Sequence, residues 1–183
     1  MIKYLSVFLF LLIFNLANAN DKNEIIKKLQ KIENLSFNFE QNLNGKIEQG
    51  KCIIKYPKKI WCIYDKSNNK ILVSNGNSLV IKTNIGSYYR YLLRDTPLNL
   101  ILDKNFIINE IKNLKGNIIN EKFISYTLTE SQTKIDVFFN RKSLNIVGWQ
   151  TLDIYQNTTI TKIYNTLINQ KIKGDIFKLP KLN

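Results

Sequence analysis

The sequence predicts a mainly β, single-domain fold, a curved sheet whose concave side is covered by helices. Three observations carry this prediction. First, Gly50 to Asp65 (GKCIIKYPKKIWCIYD) folds back on itself about Tyr56-Pro57-Lys58, where proline pre-sets φ and cannot serve a central ladder. About that bend Lys55 faces Lys59, Ile54 faces Ile60 and Cys52 faces Cys62. Cys52, Ile54, Tyr56, Ile60, Cys62 and Tyr64 then share one face, and the lysines share the other with Ile53, Trp61 and Ile63. Second, Ile71–Val73 and Leu79–Ile81 flank Ser74-Asn75-Gly76-Asn77, in which Asn-Gly is a strong hairpin signal. Third, a short, very apolar helical stretch (Leu98, Leu100, Ile101, Leu102) interrupts this run of hairpins. It reads as a cover over an apolar interior. The alternative is that the helices simply complete an ordinary core.

In chain order, residues 1–19 read as an export signal. Lys3 gives a basic start, Leu5 to Leu16 an apolar core, and Ala17-Asn18-Ala19 an A-x-A cleavage pattern. Cleavage before Asn20 leaves residues 20–183 as one domain, with no cysteine at the cleavage point to receive a lipid. Asp21 to Leu35 predicts a helix with Ile25, Leu29 and Ile32 on one face. Ser36 to Gln41 alternates as a strand, and Asn44-Gly45 offers a turn into Lys46 to Ile54. Ser87 to Tyr91 is rich in strand formers. Thr96 reads as a helix N-cap with Pro97 at the first helical position. Phe106 to Leu114 fits a helix, although Phe106 to Ile108 alone fits a strand. Phe123 to Leu128, Thr133 to Phe139, Ile146 to Tyr155 and Thr158 to Asn165 follow as a meander, with turns at Asn140-Arg141 and Gln156-Asn157. The tail Ile176 to Pro180 closes the last edge.

Composition removes several function classes. A net charge of +13 suggests an anionic partner, but 24 lysines stand against 3 arginines, beside 25 asparagines and 28 isoleucines. The lysines are spread along the chain and the aromatics do not interleave with them as base-stacking platforms, so no nucleic-acid partner is expected. With no histidine, histidine triads and most zinc or copper sites are absent. No acidic pair has a recognisable acid–base spacing, and we expect neither enzyme activity nor a cofactor or metal. Cys52 and Cys62 can form a cross-strand disulfide in an oxidising compartment, or remain two reduced, buried thiols.

The order and spacing of several motifs resemble the periplasmic outer-membrane lipoprotein carrier family, the LolA type. The motifs are Phe39-x-Gln41, Gly50-Lys51, Tyr56-Pro57, Ile60 to Tyr64, the run ILVSNGNSLVIK, and Thr96-Pro97-Leu98 with Leu100-Ile101-Leu102. Gly148-Trp149-Gln150, Asn165 and the closing Ile176-Phe177-Lys178-Leu179-Pro180 complete the set. The resemblance implies an unclosed β-barrel, or half-barrel, with a helical lid over an apolar cavity. It implies a periplasmic, monomeric chaperone that shields lipoprotein acyl chains on the way to the outer membrane. The implied partners are acylated lipoproteins, an inner-membrane lipoprotein-releasing ABC transporter, and an outer-membrane acceptor or that membrane itself. A carrier of another amphiphile, such as a glycolipid, and the acceptor of the same fold are the alternatives. On this reading Phe37, Phe39, Ile54, Ile60, Cys62, Tyr64, Leu98, Leu100 and Ile101 line the cavity or lid, each with ordinary core as its alternative. The family's arginine before the hairpin proline, which helps hold the lid, is replaced by Tyr56, the expected latch. The aromatic often found two residues before Tyr64 is replaced by Cys62.

Overall fold

The computed structural model describes residues 20–66, 69–152 and 157–181. The export signal expected at 1–19, the end of the strand expected to reach Tyr155, and Gln156 lie outside the described residues. Helix α1 covers residues 20–31, and eleven antiparallel strands follow. They are β1 (Asn34–Leu43), β2 (Lys46–Lys55), β3 (Lys59–Tyr64), β4 (Ile71–Asn75), β5 (Ser78–Lys82) and β6 (Tyr88–Leu92), then β7 (Asn117–Ile119), β8 (Phe123–Glu130), β9 (Thr133–Asn140), β10 (Ile146–Leu152) and β11 (Thr158–Ile168). A 3₁₀ turn (Leu93–Asp95), α2 (Leu98–Ile101) and α3 (Lys104–Asn113) lie between β6 and β7.

The sheet runs β6-β5-β4-β3-β2-β1-β11-β10-β9-β8-β7 and is not closed into a barrel, since β6 and β7 are its two ends. The segment joining those ends carries α2 and α3. Sheet connectivity therefore puts the helices where the wall is open.

The hairpin register follows the alternation in the sequence: Cys52 pairs Cys62, Ile54 pairs Ile60 and Lys55 pairs Lys59. Alternation then sends the even-numbered side chains of this hairpin inward, where Ile54, Ile60, Cys62 and Tyr64 are all buried. The same inward parity on the far half buries Ile124, Tyr126, Leu128, Ile135, Val137, Phe139 and Trp149. Ile25, Leu29 and Ile32 of α1 and Ile107, Ile108 and Ile111 of α3 join the same cluster. Helices and concave sheet thus share one continuous apolar interior.

Two glycines mark close approaches within this wall. A Cβ on Gly50 would lie 2.1 Å from the Ile63 carbonyl oxygen, and one on Gly148 2.2 Å from that of Thr161. Gly148 also has φ of 154° and sits where the β9–β10 register shifts, which are conditions that select glycine.

The structure departs from the sequence reading at several elements. α1 ends at residue 31 and β1 starts at Asn34, because Asn169 draws that junction into the sheet. Its Oδ1 accepts from the Glu33 N–H, its Nδ2 donates to the Lys31 carbonyl, and its N–H donates to the Asn34 carbonyl. The segment at 106–114 is helical: Asp103 caps α3 by accepting from the Phe106 N–H at 3.0 Å. Thr96 does not cap α2. Its hydroxyl donates back to the Leu93 carbonyl at 2.8 Å, and Pro97 occupies the cap.

The tail closes no edge. Lys82 Nζ donates to the Lys181 carbonyl and the Tyr88 hydroxyl to the Pro180 carbonyl, so the tail lies against the convex face of β5 and β6. Outward-facing Val73 and Val80, a cross-strand pair, are buried, as is Phe177 of the tail, and none of the three belongs to the main interior. Pro180 has no N–H to offer a ladder, which suits a strap across a sheet face.

Candidate functional site

The expected cavity and lid residues converge on one interior. Phe37, Phe39, Ile54, Ile60, Cys62, Tyr64, Leu100 and Ile101 are all buried in it, and Leu98 is half-buried against it. β1 supplies Phe37 and Phe39, whose rings meet Trp149 edge-on at 6.2 Å and Tyr64 edge-on at 5.0 Å. Such pairs stabilise by roughly 0.5–1.5 kcal/mol beyond area burial. Leu100, Ile101 and Leu102 of the α2 segment close the interior from the open side. No helix among the described residues is long and apolar enough to cross a membrane.

Cys52 and Cys62 are joined by a disulfide across β2 and β3, spanning ten positions of sequence. It staples the hairpin whose bend meets the lid. Loop-closure entropy for so short a ring is about 2–3 kcal/mol. Replacing both cysteines by alanine is therefore expected to lower unfolding stability by about that amount, read from urea titration with m slightly raised as the unfolded chain expands.

The polar ties between bend and lid come from Lys58. Its backbone N–H donates to the Leu102 carbonyl at 2.8 Å. Its Nζ donates to Asn99 Oδ1 at 2.7 Å and lies 3.2 Å from Asp103 Oδ2. Its own carbonyl accepts from Ser74 Oγ at 3.0 Å, which holds Lys58 in a left-handed conformation with φ of 67°. Tyr56, the expected latch, sits two residues earlier and contributes differently. Its N–H donates to the Glu33 carbonyl at 3.0 Å and its half-buried ring packs on the interior, with Lys104 Nζ 5.8 Å from the ring centre. Burial pushes its phenol well above the usual tyrosine range, so it stays neutral.

Lys104 completes the junction by donating to the carbonyls of Gln30, in the last turn of α1, and Ile32, just beyond it. At the opposite end Lys22 of α1 donates to the Lys112 and Leu114 carbonyls, satisfying the C-terminus of α3. The two helices are thus cross-tied at both ends, and the lid is held by lysines. A pocket of about 480 Å³ opens beside this junction, lined by Glu33, Asn34, Lys55, Tyr56, Pro57, Asp103, Lys104, Asn105, Gln170 and Ile172. Its polar walls set it apart from the apolar interior.

The interior ends in a charged pair. Inward-facing Glu48 is buried and ion-paired with Lys70 and, at 3.3 Å, with Lys46. Burial raises its carboxyl pKa, but Lys70 and Lys46 together outweigh this and hold it below the usual range. Lys70 Nζ also lies 3.8 Å above the Tyr64 ring. Burial, aided by the Glu48 charge, pushes the Tyr64 phenol up.

Sequence reasoning missed Lys58, Asn99, Asp103, Lys104 and the Glu48–Lys70 pair. Only Asp103 carried a local signal, an N-cap residue three positions before Phe106. The lysines were hidden among many others.

No curated protein sequence matches the chain. Among solved structures, MucB is 9% identical over 91% of this chain and 64% of its own, with a TM-score of 0.50. LprF from Mycobacterium bovis is 12% identical over 87% of this chain and 96% of its own, with a TM-score of 0.47. A LolA superfamily protein from Nitrosomonas europaea, NE2245, is 10% identical over 86% and 97%, with a TM-score of 0.45. At such identities the likeness concerns the fold alone. The profile of the family described as "Outer membrane lipoprotein carrier protein LolA" matches residues 30–180, most of the chain, and the chain belongs to that family.

Proposed function

We propose that the protein is a periplasmic carrier that moves lipoproteins from the inner to the outer membrane by shielding their acyl chains inside the half-barrel. The observation that carries this reading is the apolar interior of an unclosed sheet, shut by helices that only a small set of polar ties holds at the bend. Burying an acyl chain contributes about 0.8 kcal/mol per CH₂, on the order of 10 kcal/mol for roughly fourteen carbons. Displacing α2 and α3 opposes part of that gain, so cargo is protected from water yet can be released. Phe37, Phe39, Ile54, Ile60, the Cys52–Cys62 disulfide, Tyr64, Leu98, Leu100 and Ile101 are the proposed acyl or lid contacts. An inner-membrane ABC transporter would load the carrier, and an outer-membrane acceptor or the membrane itself would unload it. Mass spectrometry of the protein recovered from the periplasm is expected to find acylated lipoproteins bound. Recovery without acylated cargo, together with no uptake of a fluorescent fatty acid, would refute the carrier reading.

In this scheme Lys58 is the latch. Its side-chain ties are partly exposed, which limits them to about 1 kcal/mol. Lys58→Asn removes them while asparagine tolerates the left-handed backbone. The open population then rises, and apparent affinity for a fluorescent acyl probe is expected to increase about fivefold. Tyr56→Phe, which leaves those ties in place, is expected to change it little.

A further inference from the structure

The two ends of the sheet differ. β7 has three residues and is bounded by Lys115, Asn120, Glu121 and Lys122, a short and charged margin of the kind that resists pairing. β6 has five residues, Tyr-Tyr-Arg-Tyr-Leu, with no proline to blunt it.

The ladder shows which way its backbone points. The Leu93 N–H donates to the Asn77 carbonyl and the Thr83 N–H to the Ser87 carbonyl, both at 2.9 Å. These bonds bracket the β5–β6 register, so the alternation of an antiparallel ladder makes Leu79–Tyr91 and Ile81–Tyr89 the hydrogen-bonded pairs. Tyr88, Arg90 and Leu92 therefore turn their N–H and C=O groups to the margin, where no strand follows among the described residues. The other parity puts Tyr89 and Tyr91 on the concave side, yet they remain 54% and 47% exposed.

We propose that the β6 margin binds, as an added antiparallel or parallel strand, the extended segment that follows the acylated residue of the cargo. This rests on the carrier reading and says how the carrier holds the protein part of its load. Three features favour that occupant. A row of backbone donors and acceptors at strand spacing is matched by extended polypeptide and by no acyl chain. β6 runs through Leu92 into the lid segment, so the margin adjoins the gap by which acyl chains would enter. An acylated protein brings chain and peptide covalently joined, one for each feature, and backbone pairing is indifferent to peptide sequence, as a carrier of many proteins needs. Arg90 and Arg94, two of the chain's 3 arginines, lie on or just after the strand and favour acidic residues in the segment.

Three synthetic probes test this: dipalmitoylglyceryl-cysteine amide, the same lipid with a six-residue Ser/Glu extension, and that extension N-methylated at alternate residues. The variant Arg90→Pro keeps every backbone bond to β5, because the Arg90 N–H faces the margin, and loses only the guanidinium bonds to Ser78 Oγ, yet it bars an added strand. Arg90→Ala loses the same charge and the same bonds to Ser78 but keeps the N–H, so it isolates the backbone effect. The extended probe is expected to bind the parent about tenfold more tightly than the bare lipid, as a few added backbone bonds would give. That gain disappears with N-methylation and in Arg90→Pro, and largely survives in Arg90→Ala, while bare-lipid affinity stays constant. Equal binding of bare and extended probes to the parent, or a gain that survives N-methylation, overturns the proposal and leaves the carrier reading intact. Failure of the parent to bind even the bare lipid overturns both. The N-methylated probe decides the matter even if Arg90→Pro folds poorly.

Discussion

Ile60→Glu is expected to abolish acyl uptake and to lower stability by several kcal/mol, while Lys59→Glu one residue away costs no more than about 1 kcal/mol. Ile60 is 2% exposed on the inward face opposite Ile54, whereas Lys59 points outward and pairs with Lys55. A carboxylate at position 60 would enter an apolar interior whose nearest register partners, Ile54 and Ser74, bring no cation. Burial raises the pKa of the introduced carboxyl above its unfolded value. The penalty is therefore smallest below about pH 4.3 and grows as pH rises through the raised folded value. Thermal melts at pH 4 and 7.5, with uptake of a fluorescent fatty acid by the folded fraction, supply the check. Equal losses at positions 59 and 60 would sink the assignment of faces.

Gly148→Ala is expected to be nearly as damaging, although it adds one carbon. That carbon would sit 2.2 Å from the Thr161 carbonyl oxygen and 3.2 Å from the Lys162 Cα, both backbone atoms of the neighbouring strand. No rotamer relieves such a contact, so β10 and β11 must separate, and φ of 154° is itself unfavourable for alanine. A loss of roughly 2–4 kcal/mol follows, or about 5–15 °C in melting temperature for a chain of this size. Trp149, next in sequence, would shift with the strand, and its edge contact with Phe37 would be lost with it. Gly86→Ala separates the causes: φ there is 91°, but nothing lies within 4 Å of the added carbon. It should cost about 1 kcal/mol, and a loss equal to that of Gly148→Ala would show that crowding is not the reason.

Where alternation and a turn residue acted together, the sequence was easy to read. Pro57 centred the β2–β3 hairpin, and the register of Cys52 with Cys62 and Ile54 with Ile60 followed from counting outward. The apolar interior was visible for the same reason, since period-two patterning assigns every inward side chain once one pair is known. Period was ambiguous at 106–114, where a three-residue apolar run suits either state and only the Asp103 cap decides. β7 was too short to show any period. Lys58 and Lys104 carry the polar ties of the lid, but a lysine in a lysine-rich chain looks like solvated surface until its partners are placed. Tyr56 drew notice because it stood where a charge was expected, and the charge lies two residues on. The tail misled because Val73 and Val80 point away from the interior. The sheet face they occupy is met by a tail about a hundred positions later, through Lys82 and Tyr88, and no local pattern encodes that.

The strands that begin and end the sheet in sequence, β1 and β11, are neighbours at its centre, with Phe39 opposite Ile163 and Leu35 opposite Ile168. A chain delivered N-terminus first can form β2 to β6 early as local hairpins, but the seam joining the two halves must wait for the last strand. Its contact order is therefore high, and such topologies fold slowly, with half-built sheets exposed meanwhile. Until β11 docks, the inward side chains of β1 have a partner on one side only, and the apolar face of the half-built sheet is open to any other chain nearby. The same late closure that leaves an open-sided sheet around an apolar interior makes the newly made chain itself a client for protection.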